Sequence, residues 1–586
     1  MTGGPFARAR AALERASDAR LALGLFAVAF ALRLAFVLEI DGTEWGRVLV
    51  GDATAYDAWA RAIAAGDWLG HEVFYQAPLY PYFLAVVYAV AGPSALVVRV
   101  LQAALGGASS VLLAAAGRRF FSRGVGVAAG LVLACYGPAI FFVALVHKMT
   151  LDLFFTTSLL YALARVCDEA SPRRRWLLLA GAALGCLALT RENALAWLPV
   201  LLVWLAWRRR DERRAAARAI GWFLGGALLV LGPVAARNAA LGGVPLVTTS
   251  QAGVNFYLGN NADADGTYAP LRFGHGSFVQ ERQDAIELAE QARGRALSPA
   301  EVSRYWSDRA WTWISAHPGA WLRLLARKWM LVWGAQEIPD SDEPAVYRDA
   351  SLVLRATWPL SFGVLAPLAL VGIVASLRAR RRVGVLVALL LTSAASTAAF
   401  LVFGRYRVPL IPIAALFAAA GAFELAALAR ARPAPGRELG AAVALLALAA
   451  VASRFPRIED AHPRAMAYYN LGVTLEGSGE TARAADAYRA AVGDNPDFEE
   501  AHVNLGALLA NGGDLDGGAR EEREALRLKP DDATAHTDLA NALLQSGRLD
   551  EAELHYRAAL RLEPDFSSAR DGLELLRDLR ARPAPP

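Results

Sequence analysis

Apolar runs of about twenty residues recur along the first three quarters of the chain and are absent from the last 120 or so residues. Each run is long enough to cross a hydrocarbon core of about 30 Å, so the pattern predicts a bundle of membrane helices followed by a tail outside the lipid. Basic clusters separate the runs: Arg118, Arg119 and Arg123, then 173–175, 208–214, 378–382 and 430–437. The positive-inside rule places each cluster in the cytoplasm. With residues 41–76 outside, 95–116 then runs inward, 124–146 outward, 149–166 inward, 176–189 outward, 193–207 inward and 220–236 outward. The polar interruptions His147-Lys148 and Thr190-Arg191-Glu192 join the outer face. The stretch 77–91 is left over, and crossing parity makes it a re-entrant or half-crossing element.

Residues 237–350 are too polar for lipid and are expected to form a large extracytoplasmic segment, with a loop over 258–266 and helices over 299–333. Helices at 356–376, 383–403 and 408–428 return the chain to the cytoplasm. A short Ala-rich run, 439–452, decides where the tail lies: it is outside if this run crosses, cytoplasmic if it does not. The expected placement is extracytoplasmic.

The tail changes period. Leu471, Leu505 and Leu539 step by 34, as do Pro496, Pro530 and Pro564, and Ala491, Ala525 and Ala559. That step, with Asn470-Leu471-Gly472 against Asn504-Leu505-Gly506 and Tyr488 against Tyr556, is the tetratricopeptide period. Each helical hairpin buries one face against its neighbours, so small residues mark the close contacts and a proline ends the second helix. The expected division is a membrane domain over 1–455, a linker over 456–466, three repeats over 467–576 and a disordered tail over 577–586. The fold class is all-α: a polytopic bundle of about 11–13 helices, an outer-face loop domain and a tetratricopeptide solenoid that offers a concave surface to a protein partner.

Composition agrees, with 55% hydrophobic residues, 20% charged residues and a mean hydropathy of +0.31. The formal charge of +5 comes with arginines gathered between apolar runs, where they orient helices, so no nucleic-acid partner is expected. Cys135, Cys167 and Cys186 sit in apolar stretches as packing residues. Arg8, Arg10, Arg15 and Arg20 precede the run 21–38, which is too long for a signal peptide and has no cleavage site after it. The expectation is an uncleaved first membrane helix with a cytoplasmic N-terminus.

Candidate chemistry lies on the outer face. Asp52 follows the first helix, opens an amphipathic segment with Tyr56 and Ala60, and is followed by the aromatic-rich stretch Phe74-Tyr75-Gln76-Ala77-Pro78-Leu79-Tyr80-Pro81. Taken alone, Asp52 reads as a helix N-cap. Arg33 and Arg99 lie inside apolar runs, where an ionisable residue is a functional candidate by default, although pairing with backbone carbonyls explains them as well. His147 and His275 have no partner ligands at metal spacing.

The order Asp52-x-x-x-Tyr56-x-x-x-Ala60, Pro78-Leu79-Tyr80-Pro81 and Leu189-Thr190-Arg191-Glu192-Asn193 between apolar runs resembles the polyprenyl-phosphate-sugar glycosyltransferases of the GT-C superfamily. That superfamily includes the protein mannosyltransferases and the bacterial aminoarabinose transferases of lipid A. The resemblance implies a bacterial inner-membrane enzyme that moves a hexosyl or pentosyl group from a polyprenyl-phosphate donor, with inversion. It makes Asp52 a catalytic base or a metal-binding residue, with Mg or Mn as the divalent cofactor it leaves open. Candidate contacts to the substrate are Tyr56, Tyr75, Gln76, Lys148, Arg191, Glu192, Arg405 and Arg407, since arginine presents a bidentate fork to phosphate oxygens. For the cations the alternative is snorkelling to the interface. Gln76 stands where some members carry a basic residue.

Two alternatives remain open at this point. One is a ligase or polymerase acting on a diphosphate-linked glycan through Arg272, Arg282 or Arg293 of the outer segment. The other is a membrane-anchored repeat scaffold without activity.

Overall fold

The computed structural model describes residues 16–169, 173–242, 246–272, 278–340, 342–377, 380–431, 436–456 and 462–581. Among these residues every regular element is helical and no strand occurs. The chain divides into two compact units, one formed by 1–47, 51–340 and 347–458 and the other by 48–50, 341–346 and 459–586.

The first unit opens with α1 (Asp18–Asp41), α2 (Asp52–Ala64), α3 (Leu79–Ala91), α4 (Ala95–Phe120), α5 (Arg123–Cys135), α6 (Gly137–Ala144) and α7 (Met149–Asp168). It continues through α8 (Arg174–Ala188), α9 (Trp197–Arg208) and α10 (Arg213–Gly242). The polar segment holds α11 (Ala252–Gly259), α12 (Phe278–Arg293), α13 (Pro299–Ala316) and α14 (Pro318–Val332). Then come α15 (Phe362–Ser376), α16 (Arg380–Ala399), α17 (Leu410–Arg430) and α18 (Gly436–Ala452). Six helices among the described residues are long and apolar enough to cross a membrane: α1, α4, α7, α10, α17, and α15 together with the short helix Leu352–Thr357 before it.

The run expected to cross as one helix over 124–146 is instead two, α5 and α6, bent by 48°. Tyr136 between them has extended backbone and Pro138 at the start of α6 lacks an N–H, so the ladder is cut there. The break leaves carbonyls at the end of α5 without helical partners, as the end of α6 does a few residues on, and buried polar side chains supply them. Arg33 donates to Leu133 and Ala134 (both 3.0 Å), Arg99 to Ala144 (2.7 Å), and Gln102 to Val143 and Leu145 (both 2.9 Å). Carbonyl pairing thus accounts for Arg33 and Arg99.

Ion pairs distinguish the two ends of the bundle. At the arginine end Asp18 pairs with Arg118 and Arg123, Arg119 pairs with Asp168, and Arg208 donates to the Cys167 carbonyl (2.6 Å). At the other end lie Asp52, His147 and Arg405. The leftover stretch, α3, lies along α2: the Tyr88 hydroxyl donates to Asp57 (2.6 Å), and the Leu79 N–H donates to the Leu189 carbonyl (3.2 Å). Both helices belong to the Asp52 end, and α3, with 13 residues, is among the shorter apolar helices rather than the six long ones. The other doubtful run, α18, has 17 residues, which rise about 25 Å. Ser453, just past its end, accepts a hydrogen bond from the Ala335 N–H (2.6 Å), and the neighbouring Gly334 carbonyl is held by Arg407 (2.6 Å). The helix therefore starts after Arg430 at the arginine end and finishes at the Asp52 end.

The second unit is the repeat array: α19 (Pro463–Gly477) with α20 (Thr481–Asp494), α21 (Glu499–Asn511) with α22 (Leu515–Leu528), α23 (Ala533–Gln545) with α24 (Leu549–Leu562), and a final α25 (Ser567–Ala581). Gly479, Gly513 and Gly547, again 34 apart, have φ of 78°, 93° and 76° at the hairpin turns, a backbone region open to glycine. The expected disordered tail is corrected up to Ala581: α25 covers it, with Ala569 and Leu576 buried against the third hairpin. The remaining tail positions, 582–586, lie outside the described residues, as does His275.

Candidate active site

Asp52 is the first residue of α2, behind Gly51 at φ 60° and ψ −130°, a conformation that strains any side chain. It does not cap the helix. Its Oδ2 accepts hydrogen bonds from Arg405 Nη1 (2.7 Å) and from His147 Nε2 (3.2 Å). The backbone selects the His147 tautomer: Nδ1 accepts the Lys148 N–H (2.8 Å), which leaves the ring proton on Nε2, 3.2 Å from Asp52 Oδ2 and 3.0 Å from Arg405 Nη1. Burial holds the imidazole near pKa 4, against the pull of Asp52, so it is neutral at pH 7. For Asp52 burial favours the protonated form, but the Arg405 charge and the two hydrogen bonds win and hold the carboxyl well below the usual range. Its Oδ1 has no hydrogen bond among the described residues, and the side chain is 17% exposed.

Arg405 Nη1 also meets Asp340 (2.6 Å), so one nitrogen bridges two carboxylates and keeps the guanidinium charged despite its burial. The Tyr406 ring lies 5.5 Å from Arg405 and 5.1 Å from Arg191, so both cations share one aromatic ring. Arg191 pairs with Asp152 (2.8 Å), and Glu192 accepts from Thr249 (2.8 Å). Lys148 completes the group. It is 9% exposed and, among the described residues, its ammonium has neither counter-ion nor acceptor within bonding distance, while burial depresses its pKa. The Tyr56 hydroxyl, Thr150 Oγ1 and Asp152 Oδ1 are also buried without hydrogen-bond partners among the described residues. Tyr56 meets the rings of His147 (5.2 Å) and Tyr80 (5.4 Å) edge-on.

The structure thus gathers Asp52, Tyr56, Lys148, Arg191, Glu192 and Arg405 at one end of the bundle. Arg407 is 1% exposed and bonds Gly334, Gln336 and Glu337 (2.6–2.7 Å), so its guanidinium braces that loop. Tyr75 lies under the Arg282 guanidinium (5.4 Å) and Gln76 is buried in the same loop. His147, Asp152 and Asp340 are additions. Asp152 carried a signal, since a carboxylate inside an apolar run is as unusual as Arg33, whereas no local pattern announces Asp340 as a partner of Arg405. Glu281 on α12 also faces the cluster; burial and the charges of Asp52 and Asp340 raise its pKa.

A divalent metal does not fit these residues. Arg405 occupies the space between Asp52 and Asp340 that a bridging cation would need, and no three His, Cys, Asp or Glu side chains among the described residues converge as ligands. Outside the cluster, Arg272 pairs with Asp284 and Glu287 (both 2.9 Å), Arg282 with Glu72, and Arg293 lies over Tyr305 (5.4 Å).

Residues 75–236 match the family model described as dolichyl-phosphate-mannose-protein mannosyltransferase, a stretch that contains Lys148 and Arg191 and begins after Asp52. Residues 438–497, 469–533 and 503–565 match the tetratricopeptide-repeat model. The chain therefore joins a mannosyltransferase-like membrane segment to tetratricopeptide repeats. No curated protein matches it. Among solved structures, the protein O-mannosyltransferase Pmt1-Pmt2 complex of S. cerevisiae, bound to the sugar donor, is 17% identical over 38% of this chain and 32% of its own (TM-score 0.30). The oligosaccharyltransferase AglB of Archaeoglobus fulgidus, in complex with an inhibitory peptide and a dolichol-phosphate, is 12% identical over 80% and 59% (TM-score 0.43). ArnT of Cupriavidus metallidurans, bound to undecaprenyl phosphate, is 18% identical over 69% and 78% (TM-score 0.32). The chain thus spans a third to three fifths of the first two.

Proposed function

We infer that the first unit transfers a sugar from a polyprenyl-phosphate donor to an acceptor hydroxyl at the Asp52 end of the bundle, with inversion. Lys148 carries this reading: a buried ammonium without an anion, beside Arg191 and Arg405, suits a phosphate that arrives with the substrate. The phosphate is already a good leaving group, so the protein has one proton to manage. The acceptor oxygen bonds the anomeric carbon as the carbon–phosphate oxygen bond breaks, and the hydroxyl proton passes to the open Oδ1 of Asp52. His147 and Arg405 fix Oδ2. As Arg405 turns part of its charge to the phosphate, Asp52 regains basicity, so its low resting pKa does not bar it from the role.

The basic clusters put the arginine end in the cytoplasm and the Asp52 end outside, the expected arrangement for a plasma-membrane enzyme with its N-terminus inside. The proposal keeps the repeats on the outer side, as expected if 439–452 crosses, where a protein partner or protein acceptor would meet them. The arginines of the glycan-ligase alternative are held by Asp284, Glu287, Glu72 and Tyr305, and nothing in their surroundings favours it.

The test is transfer of radiolabelled sugar from polyprenyl-phosphate donors by membranes carrying wild-type protein, Asp52→Asn or Lys148→Met at matched expression. The expectation is a loss of about a hundredfold or more in kcat for Asp52→Asn and a rise mainly in donor KM for Lys148→Met. Full transfer by Asp52→Asn would remove the base assignment, and absence of transfer by the wild type with any such donor would remove the reading.

A further inference from the structure

The repeat unit contains a buried charge of a different kind. Counting by 34, Glu522 on α22 occupies the position held by Tyr488 in the first hairpin and Tyr556 in the third. Those tyrosines lie under a neighbouring helix and reach polar partners: Tyr488 donates to Glu476 (2.7 Å) and meets Asn504 (3.2 Å), and Tyr556 donates to Asn541 (2.6 Å). Glu522 is 0% exposed, and neither of its carboxylate oxygens has a hydrogen-bond partner among the described residues. Its carboxylate lies against Gly506, where a Cβ would approach Oε1 to 2.5 Å, so the glycine makes the room it occupies. The charges around it are of its own sign: Asp538 on α23, Asp532 before α23, Glu499 on α21 and Glu521 on α22.

Counter-charge nearby is limited. Lys529 pairs with Asp532 (2.7 Å) and stands 3.9 Å from Glu499, and His502 takes Glu521 (2.7 Å). Burial and these neighbours push Glu522 up to about 10, Glu499 to about 7 and Asp538 to about 6. At neutral pH the empty cluster therefore holds at least one proton where a cation would be favourable. Residues 462–581 as a whole carry 23 acidic against 13 basic side chains, while the full chain is at +5.

We propose that the second and third hairpins form a cation-accepting site, built on Glu522 with Asp538 and Glu499, that recognises an arginine side chain of a polypeptide partner. A buried carboxylate with two unmatched oxygens suits the paired donors of a guanidinium, which is weakly hydrated and therefore less costly to bury than an ammonium. The absence of a three-ligand cluster among the described residues argues for an organic cation over a metal ion. Binding displaces the resident proton, so affinity rises with pH. This site is independent of the glycosyl-transfer reading, and its test reads binding alone.

The probe is a short Gly/Ser peptide with one central arginine, compared with the same peptide carrying citrulline, which keeps the shape and loses the charge. Both are titrated by thermophoresis into the full chain in nanodiscs at pH 6 and pH 8.5. The arginine peptide is expected to bind at least about tenfold tighter than the citrulline peptide, and tighter at the higher pH. Glu522→Gln should remove both the preference and its pH dependence. Glu522→Tyr, which installs the residue of the sister hairpins, should do the same while leaving the array folded. Absence of an arginine preference in the wild type, or a preference that survives both variants, would overturn the proposal.

Discussion

Both units bury charge, and they settle it in opposite ways. In the membrane unit Asp52 and Asp340 share Arg405, Asp152 holds Arg191, Glu337 holds Arg407, and Arg33 and Arg99 close on the carbonyls of a broken helix. In the repeat unit Glu522 has like charges around it and no partner. A paired carboxylate stays ionised far below the usual range, while an unpaired one gives up its charge. Among the described residues Lys148 and Glu522 are buried with neither counter-ion nor hydrogen-bond partner at the charged group, and they have opposite signs, which is why the two proposals give each a ligand that brings the missing charge.

The largest expected effect breaks the pairing in the membrane unit. Arg405→Met leaves Asp52 and Asp340 without their cation, which should cost about 3–5 kcal/mol and abolish transfer, as measured by thermal unfolding in nanodiscs and by the sugar-transfer assay. A folded, active variant would show that the two carboxylates do not depend on Arg405. Next in size, Arg191→Met strands Asp152 and should cost about 3 kcal/mol, most of which Asp152→Asn in the same chain should restore. Transfer separates the roles. If Arg191 binds the donor phosphate, the double variant recovers stability without activity; recovery of both would make the pair a structural one.

The contrast also shows which features a sequence discloses. The 34-residue step needs only local order, so the hairpins and their terminal prolines were legible. Asp52 stood out by its place after the first apolar run, and taken alone it read as an N-cap; in the structure the helix is entered through Gly51 and the carboxylate is turned to Arg405, 353 residues away. Such a pair leaves no local pattern. The break at Tyr136 was hidden because both halves are apolar, and only Pro138 hinted at it. Arg407 and Arg405 look alike in sequence, with only Tyr406 between them, but the tight turn sends one guanidinium to Asp52 and the other to Glu337.

Titration sharpens the comparison at a smaller scale. The folded pKa of Asp52 is depressed, so its contribution to stability is present above about 3.9, the unfolded value, and fades as pH falls further. The folded pKa of Glu522 is raised, so its contribution is whole below about 4.3 and is lost as pH rises toward about 10. Between pH 5 and 9 the repeat unit should therefore lose stability, by at most about 1.4 kcal/mol per pH unit for this one proton, while the Asp52 contribution stays constant. All 15 tryptophans lie between residues 45 and 358, so their fluorescence follows the first unit, and hydrogen exchange of α21–α24 follows the second. Glu522→Gln should flatten the second profile. A slope that persists in this variant would assign the proton to Glu499 or Asp538.

The smallest effect isolates what the unpaired carboxyl costs the array. Tyr488 meets Asn504 through its hydroxyl, and a step of 34 turns that pair into Glu522 and Asp538. Glu522→Tyr would place a phenol hydroxyl within reach of Asp538 and fill the space beside Gly506 with a ring, as Tyr488 does beside Gly472. Removing an unsatisfied carboxyl and adding one hydrogen bond should stabilise the repeats by roughly 1 kcal/mol, visible as slower hydrogen exchange in α21–α24 with the tryptophan-detected transition unmoved. A destabilised array would mean that Gly506 and Glu522 are matched in volume and that the carboxyl is kept for packing. A stabilised array that has lost its arginine preference would mean that the second hairpin gives up stability for a ligand, as the membrane unit does at Lys148.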